Sequence, residues 1–324
     1  MEIGSFIELQ LPQGREWHNR PGVARLNTGR AAIWHAFRCL PCHTLWLPTY
    51  QCDTVREFLQ KKGVQLKYYS IDRRFEPQLD AVEDGEAVLV VNYYGVMSDR
   101  RMTELASRYR HCIVDASQAF FSAPVEGAMT VYSARKFVGV PDGAYVVGDG
   151  ADRFLDEYEQ DYSSDTAGFL FARIEYGCEG KGYEARMINE HRIDAADIRR
   201  MSRLTYRLLD AEDCKYNRRK RRENFDTARR LLDDINQLDA AMYYDDDTVP
   251  MVYPLVVEDD GLLPYLQQHK LFQGHWWSYL LDEVPPGSME YWLSRYVIPI
   301  TIDQRYGEEE LRYTERLIRG YLGL

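Results

Sequence analysis

The sequence predicts an α/β fold, a mostly parallel sheet with helices on both faces, followed by a smaller C-terminal α+β unit. Three observations carry this. Between residues 26 and 147, strand-like runs alternate with helical patterns, the order that builds parallel sheets. The run AVLVV at 87–91 and the run CIV at 112–114 are continuously apolar, as strands covered on both faces are. After a largely helical stretch from Asp149 to about Ile235, a second strand–helix alternation begins at VPMVYPLVV. A chain of 324 residues exceeds the usual single compact domain, and we expect a large domain at 1–214 and a small one at 215–324.

Taken in order, Asn27 or Thr28 is a suitable N-cap for a helix in which Ile33, Trp34 and Phe37 share a face. Gly29 lets the backbone approach a ligand there, and free amides at a helix start form an anion site; the same residues also fit a plain cap. TLWLP at 44–48 reads as a buried strand, and a helix follows through Lys62, closed by Gly63. VQLKYYSID alternates like a strand, EPQLDAV reads as a short helical turn, and residues 99–110 read as a helix. The strand ending in Asp115 is followed by a second run at 129–132 that leads into Ser133, Ala134, Arg135 and Lys136. Gly139, Pro141, Asp142 and Gly143 then mark a turn before a third strand at 144–147. Residues 157–165 read as an exposed acidic loop. In the C-terminal part, GLLPYLQQHKL reads as a helix and WLSRYVIPITI as a strand. EEELRYTERLIRGYL closes the chain as a helix, with Leu311, Leu317, Ile318 and Tyr321 at helical spacing.

Composition narrows the function. The chain is 45% hydrophobic and 28% charged, ordinary for a globular enzyme, and its formal net charge of −11 argues against nucleic acid or an anionic membrane as partner. The one basic run, KYNRRKRR at 215–222, reads as the solvated face of a helix. No apolar run approaches the roughly 20 residues of a membrane span, and the first residues lack a signal-peptide core, so we expect a cytoplasmic protein. Six cysteines, mostly within apolar segments, read as reduced thiols. Cys39-Leu40-Pro41-Cys42-His43 matches a haem-attachment pattern, but it sits where a helix hands over to a strand, and no export route is visible. Asp245, Asp246 and Asp247 cannot all face one ion, so we read a solvated turn and expect no metal.

Ligands of open parallel sheets gather at the carboxyl ends of strands, and Tyr50, Tyr94, Gly95, Asp115 and Lys136 all fall at predicted strand ends. A carboxylate at one strand end and a lysine just past the next could hold a pyridine-aldehyde cofactor. The lysine would carry the aldehyde as an imine, and the carboxylate would pair with the ring nitrogen through a charge-assisted bond. A lysine amine, with an ordinary pKa of about 10.4, must be desolvated or crowded by positive charge to act near neutral pH, and Arg135 could contribute by turning inward. The plain alternative is a surface lysine and a strand-end cap.

Four stretches in this order, NTGRAAI, LPTYQCDTV, VNYYG with VDASQA, and YSARKFVGVPDGA, resemble the DegT/DnrJ/EryC1/StrS family of sugar aminotransferases, which depend on pyridoxal 5'-phosphate (PLP). IPITIDQRYGEEEL is similar to that family's closing segment. The resemblance implies the PLP-dependent transferase fold type I with a seven-stranded sheet, and a homodimer with its active sites at the interface. By motif, Lys136 would be the catalytic Schiff-base lysine and proton carrier, Asp115 the partner of the ring nitrogen, and Gln118 the donor to the phenolic oxygen. Thr28, Gly29 and Arg30 would hold the phosphate.

There are departures. Val131 stands where the family often has a phosphate-contacting serine, and Ser133 is the substitute. Cys52 stands at the ring-stacking aromatic position, with Tyr50 two residues away. The family's Asn-Tyr-Arg signature has no clear counterpart, and Arg186, His191, Arg192 and His275 are left as substrate-binding candidates. The implied reaction moves an amino group from an amino acid, glutamate by expectation, onto a keto sugar linked to a nucleotide. Another PLP reaction, elimination or decarboxylation, and a non-catalytic binding protein are the alternatives.

Overall fold

The structure, a computed structural model, describes residues 3–324. Its main sheet is built from β1 (Ala24–Leu26), β2 (Thr44–Pro48), β3 (Gln65–Ile71), β4 (Pro77–Gln78), β5 (Glu86–Val91), β6 (Cys112–Asp115), β7 (Met129–Ser133) and β8 (Ala144–Val147). The strand order is β1-β8-β7-β6-β5-β2-β3-β4. Strands β3, β2, β5, β6 and β7 run parallel, β8 is antiparallel to β7, and β1 is antiparallel to β8. Six of these strands are those expected from their sequences; β1 brings the number to the seven the resemblance implies, and the two-residue edge strand β4 is an addition. That addition corrects the helical turn read at EPQLDAV: Pro77 and Gln78 pair with Ile71 and Ser70 instead. Proline has no N–H to donate and is tolerated on such an edge.

Helices α1 (Gly29–Arg38), α2 (Asp53–Lys61) and α3 (Asp99–Ala106) connect the strands, and α1 lies across β7 and β8. Beyond the sheet come α4 (Gly168–Tyr176), α5 (Lys181–Ala195), α6 (Arg203–Asp210) and the long α7 (Cys214–Leu232). A two-stranded antiparallel pair follows, β9 (Val252–Val256) with β10 (Val297–Thr301). Around it lie α8 (Leu262–Gln268), α9 (Leu280–Glu283), α10 (Met289–Tyr296) and α11 (Glu308–Leu322). The strand expected across WLSRYVIPITI is therefore two elements. Ser288 caps α10 by accepting from Tyr291 N, so the first half is helical and only Val297 onward pairs with β9. None of the described helices is long and apolar enough to cross a membrane.

Two polar stretches are more buried than their composition suggests. In the 157–165 segment, Asp161 is buried and accepts from Arg192 Nη1 at 2.9 Å. In the basic run, most side chains reach solvent, but Arg221 is buried on the inner face of α7. The N-terminal segment is likewise drawn in. Glu16 accepts from Arg25 Nε at 2.7 Å and from the Tyr145 hydroxyl at 2.8 Å. His18 stacks on Tyr132 with ring centroids 3.9 Å apart and donates from Nε2 to the Phe120 carbonyl at 2.8 Å.

Candidate active site

The sheet order turns between β2 and β5: the chain steps outward to β3 after β2, then returns to the other side of β2 and proceeds to β6 and β7. Ligands of open α/β sheets bind outside the carboxyl ends of the strands at such a reversal of strand order. Asp115 is the last residue of β6 and is buried. Its Oδ1 accepts from Ser117 N at 2.9 Å, and its Oδ2 accepts from the Gln51 side-chain amide at 3.3 Å. Gln51 comes from the loop after β2 and is buried. Its Oε1 takes the N–H of Cys52 at 3.3 Å, and its carbonyl takes the Tyr279 hydroxyl at 2.7 Å.

Gln118 is oriented by one bond. Tyr94 N donates to its Oε1 at 2.6 Å, so the amide nitrogen is the end left to donate elsewhere. Tyr94 itself sits at φ 58, a costly conformation for an aromatic residue. It is over-determined by the Tyr50 hydroxyl at 2.7 Å, by Trp276 stacked on its ring, and by its own carbonyl, which accepts from Met251 N at 2.8 Å.

The start of α1 adjoins the same loops. Thr28 is the cap, accepting from Ala31 N at 3.2 Å, which leaves the N–H groups of the first helical residues without helical partners. A methyl group built on Gly29 would lie 3.5 Å from Ser117 Oγ and 3.9 Å from Ser133 Cβ. Both serines are more than nine-tenths buried. Free amides at a helix start can bind an anion, and with Ser117 and Ser133 beside them these groups form a candidate anion cradle. Val131 pairs with Asp115 inside the sheet, whereas Ser133 lies at the carboxyl end of its strand, beside Gly29.

Lys136 ends the single 3-10 turn Ala134–Lys136 that follows β7. Its side chain is exposed and forms no ion pair or hydrogen bond with the described residues. Arg135 does not turn toward it; its Nη2 donates to Glu190 Oε1 of α5 at 2.5 Å.

Three other sequence candidates are placed differently from expectation. Arg30 donates from Nη2 to the carbonyls of Ile193 and, at 2.9 Å, Asp194, so its guanidinium holds the end of α5 rather than the cradle. Tyr50 is enclosed by Tyr93 and Trp277 and has no open face on which a ring could stack. Cys52 is half-buried at the start of α2, its Sγ 3.1 Å from Thr54 Oγ1, and borders a cavity of about 150 Å³ shared with Thr49, Arg56 and Glu283. That cavity does not include Asp115 or Lys136. Of the substrate candidates, Arg192 is engaged with Asp161 and Asp142, and His275 meets the Val297 carbonyl at 2.8 Å. Arg186 is exposed and paired with Glu190 at 3.7 Å, and His191 is exposed.

Sequence reasoning missed Gln51 and Ser117. Ser117 had a local signal, since it stands between two residues already singled out. Gln51 had none, because its role depends on reaching past β5.

The donor set fits a flat, anionic, pyridine-type cofactor: a carboxylate, an oriented amide donor, a hydroxyl-lined helix start and an unpaired lysine. The overall structure is similar to a DegT DnrJ EryC1 StrS aminotransferase from Brucella abortus, at 16% identity over 93% of this chain and 86% of that one, with a TM-score of 0.61. The fold is that of the fold type I, PLP-dependent transferases. Sugar aminotransferase CalS13 from Micromonospora echinospora shares this transferase fold at 18% identity, 93% and 87% coverage and a TM-score of 0.62. So does the E. coli GDP-4-keto-6-deoxy-D-mannose-3-dehydratase with bound hydrated PLP, at 14% identity, 91% and 87% coverage and a TM-score of 0.62. No family model and no curated protein sequence matches the chain.

Proposed function

We propose that the protein is a PLP-dependent aminotransferase that moves an amino group from an amino acid, glutamate in our reading, onto a keto sugar carried on a nucleotide. The observation that carries the reading is the convergence of Asp115, Gln118 and the start of α1 on the strand ends that also present Lys136. PLP held there would supply an aldehyde to bind amines and a ring to take up electrons. Asp115 would accept the ring N–H, with Gln51 and Ser117 N fixing its carboxylate. Gln118 would donate from its free amide nitrogen to the phenolic oxygen. The helix-start amides with Ser117 and Ser133 would take the phosphate, and Lys136 would form the covalent link and then move protons from Nζ. Sugar aminotransferases of the same fold support the choice of acceptor.

The same reading includes a second copy of the chain. The α4–α5 hairpin leans over the loop after Lys136: Asn189 donates to the Pro141 carbonyl at 2.8 Å, and Leu170 lies close to Gly139. Its outer surface is apolar and exposed, with Phe171, Ile174, Tyr176, Tyr183 and Ile188, and Ile174 is 81% exposed. A partner subunit seated on that surface would roof the lysine and exclude water.

Adding PLP to the purified protein should produce a visible band that changes with glutamate, releases the matching keto acid and disappears in Lys136→Ala. A protein that stays colourless with PLP would refute the reading. A dehydratase on the same fold favours one second reading, elimination from a deoxysugar. A coloured protein that releases no keto acid from any amino acid would favour it.

A further inference from the structure

Helix α7 carries a guanidinium that is shut off from solvent. Arg221 is 2% exposed, and its three hydrogen bonds all go to uncharged oxygens. Nε donates to Gln304 Oε1 at 3.0 Å, Nη1 to the Met251 carbonyl at 3.0 Å, and Nη2 to the Phe137 carbonyl at 3.5 Å. Its Cζ lies 4.5 Å from the centre of the Phe137 ring. The nearest acid, Asp303, is paired with Arg305 at 2.7 Å. Burying a cation without a carboxylate of its own is costly, and burial draws its pKa down to about 10. A leucine or methionine could fill the volume without that cost, so what the guanidinium touches is the informative part.

It touches both wings of the site. Phe137 directly follows Lys136, and its carbonyl also accepts from Gln304 Nε2 at 2.9 Å. Met251 N donates to the Tyr94 carbonyl at 2.8 Å, and Tyr94 N donates to Gln118 Oε1 at 2.6 Å. One planar group therefore ties the lysine turn to the loop that orients the Gln118 amide, and it does so from a helix outside the main sheet. The fork of an arginine can hold several oxygens in fixed directions at once, which a lysine ammonium on a flexible stem cannot.

We propose that Arg221, supported by Gln304, is a positioning residue that fixes the Lys136 turn relative to Gln118. The proposal rests on the reading of Lys136 and Gln118 as cofactor ligands, but the coupling itself can be measured without cofactor.

The test compares Arg221→Met, Arg221→Lys and Gln304→Ala with the unaltered full-length chain. In cofactor-free protein, backbone amides of residues 93–96 and 134–140 should exchange with solvent at least about tenfold faster in Arg221→Met, while the central strands β5 and β6 keep their protection. Arg221→Lys should not rescue this. With PLP, both arginine variants should bind about tenfold more weakly, and kcat should fall by more than KM changes. Should Arg221→Met fail to fold, Arg221→Lys and Gln304→Ala decide the matter by the same readouts. Unchanged exchange in both segments, with wild-type PLP affinity, would overturn the positioning role while leaving the proposed function intact. A wild-type chain that takes up no PLP would overturn the proposed function, and the exchange measurement alone would then judge the coupling.

Discussion

The side-chain amide of Gln51 donates to Asp115 Oδ2 at 3.3 Å although the two residues leave strands separated by β5. Neighbouring strands lie about 4.8 Å apart, so only a long, extended side chain can make this crossing. The bond gives Asp115 a fixed direction and ties the loop after β2 to the carboxyl end of β6.

Replacing Gln51 with leucine should therefore weaken PLP binding without unfolding the protein. A hydrogen bond of this length is worth about 1 kcal/mol, or close to fivefold in affinity. Gln51→Glu should do more harm at pH 8 than at pH 6, because a second carboxylate beside Asp115 must hold a proton in order to donate. Equilibrium dialysis of PLP at the two pH values measures both effects, and equal affinity in all three proteins would remove Gln51 from the site.

Gly29→Ala separates binding from stability. The added methyl group meets Ser117 Oγ at an ordinary contact distance, and alanine is a better helix former than glycine, so Tm should hold or rise. The methyl group would nevertheless stand between the helix-start amides and the two serines. PLP and inorganic phosphate should both bind more weakly, by at least about tenfold if the cradle takes the phosphate. Unchanged affinity with raised Tm would place the phosphate elsewhere.

Gly95→Ala should act in the opposite sense. Gly95 has φ 74, and a methyl group there would collide with the backbone carbonyl of Gln118. Both strain and collision point to a loss of about 3 kcal/mol or more in urea unfolding, since neither neighbour is a flexible side-chain end. A loss below about 1 kcal/mol would show that the loop can move aside, and with it the fixed orientation of Gln118.

His18 sets a pH dependence of stability. Burial holds its pKa down to about 3, against an ordinary 6.5, and its Nδ1 has no partner. The sign follows from proton binding: below 6.5 the unfolded chain takes a proton that the folded chain refuses, so stability is present above pH 6.5 and falls as the pH drops toward 3. Between pH 7 and pH 5 the loss from this residue should be about 2 kcal/mol. His18→Phe, which keeps a ring against Tyr132, should flatten the urea-derived stability by that amount over the same interval. An equally steep profile in the variant would show that His18 is accessible to protons.

The sequence alone determined those features that depend on neighbours in the chain. Continuous apolar runs marked the buried parallel strands, Thr28 and Gly29 marked the start of α1, and Asp115 and Lys136 marked the carboxyl ends of β6 and β7. Arg221 was partly legible too. It stands seven residues after Cys214 and four before Phe225, on the inner face of α7, but the surrounding RRKRR hid that periodicity under charge. What only the tertiary structure decided is which distant groups meet. Gln51 reaches Asp115 because the strand order puts β2 two places from β6. Arg30 is spent on the end of α5, and Tyr50 is walled in by Trp277, because segments far along the chain fold back over them. Such contacts depend on strand order and on long-range packing. Those are set by burial of the whole chain, and no local spacing of residues encodes them.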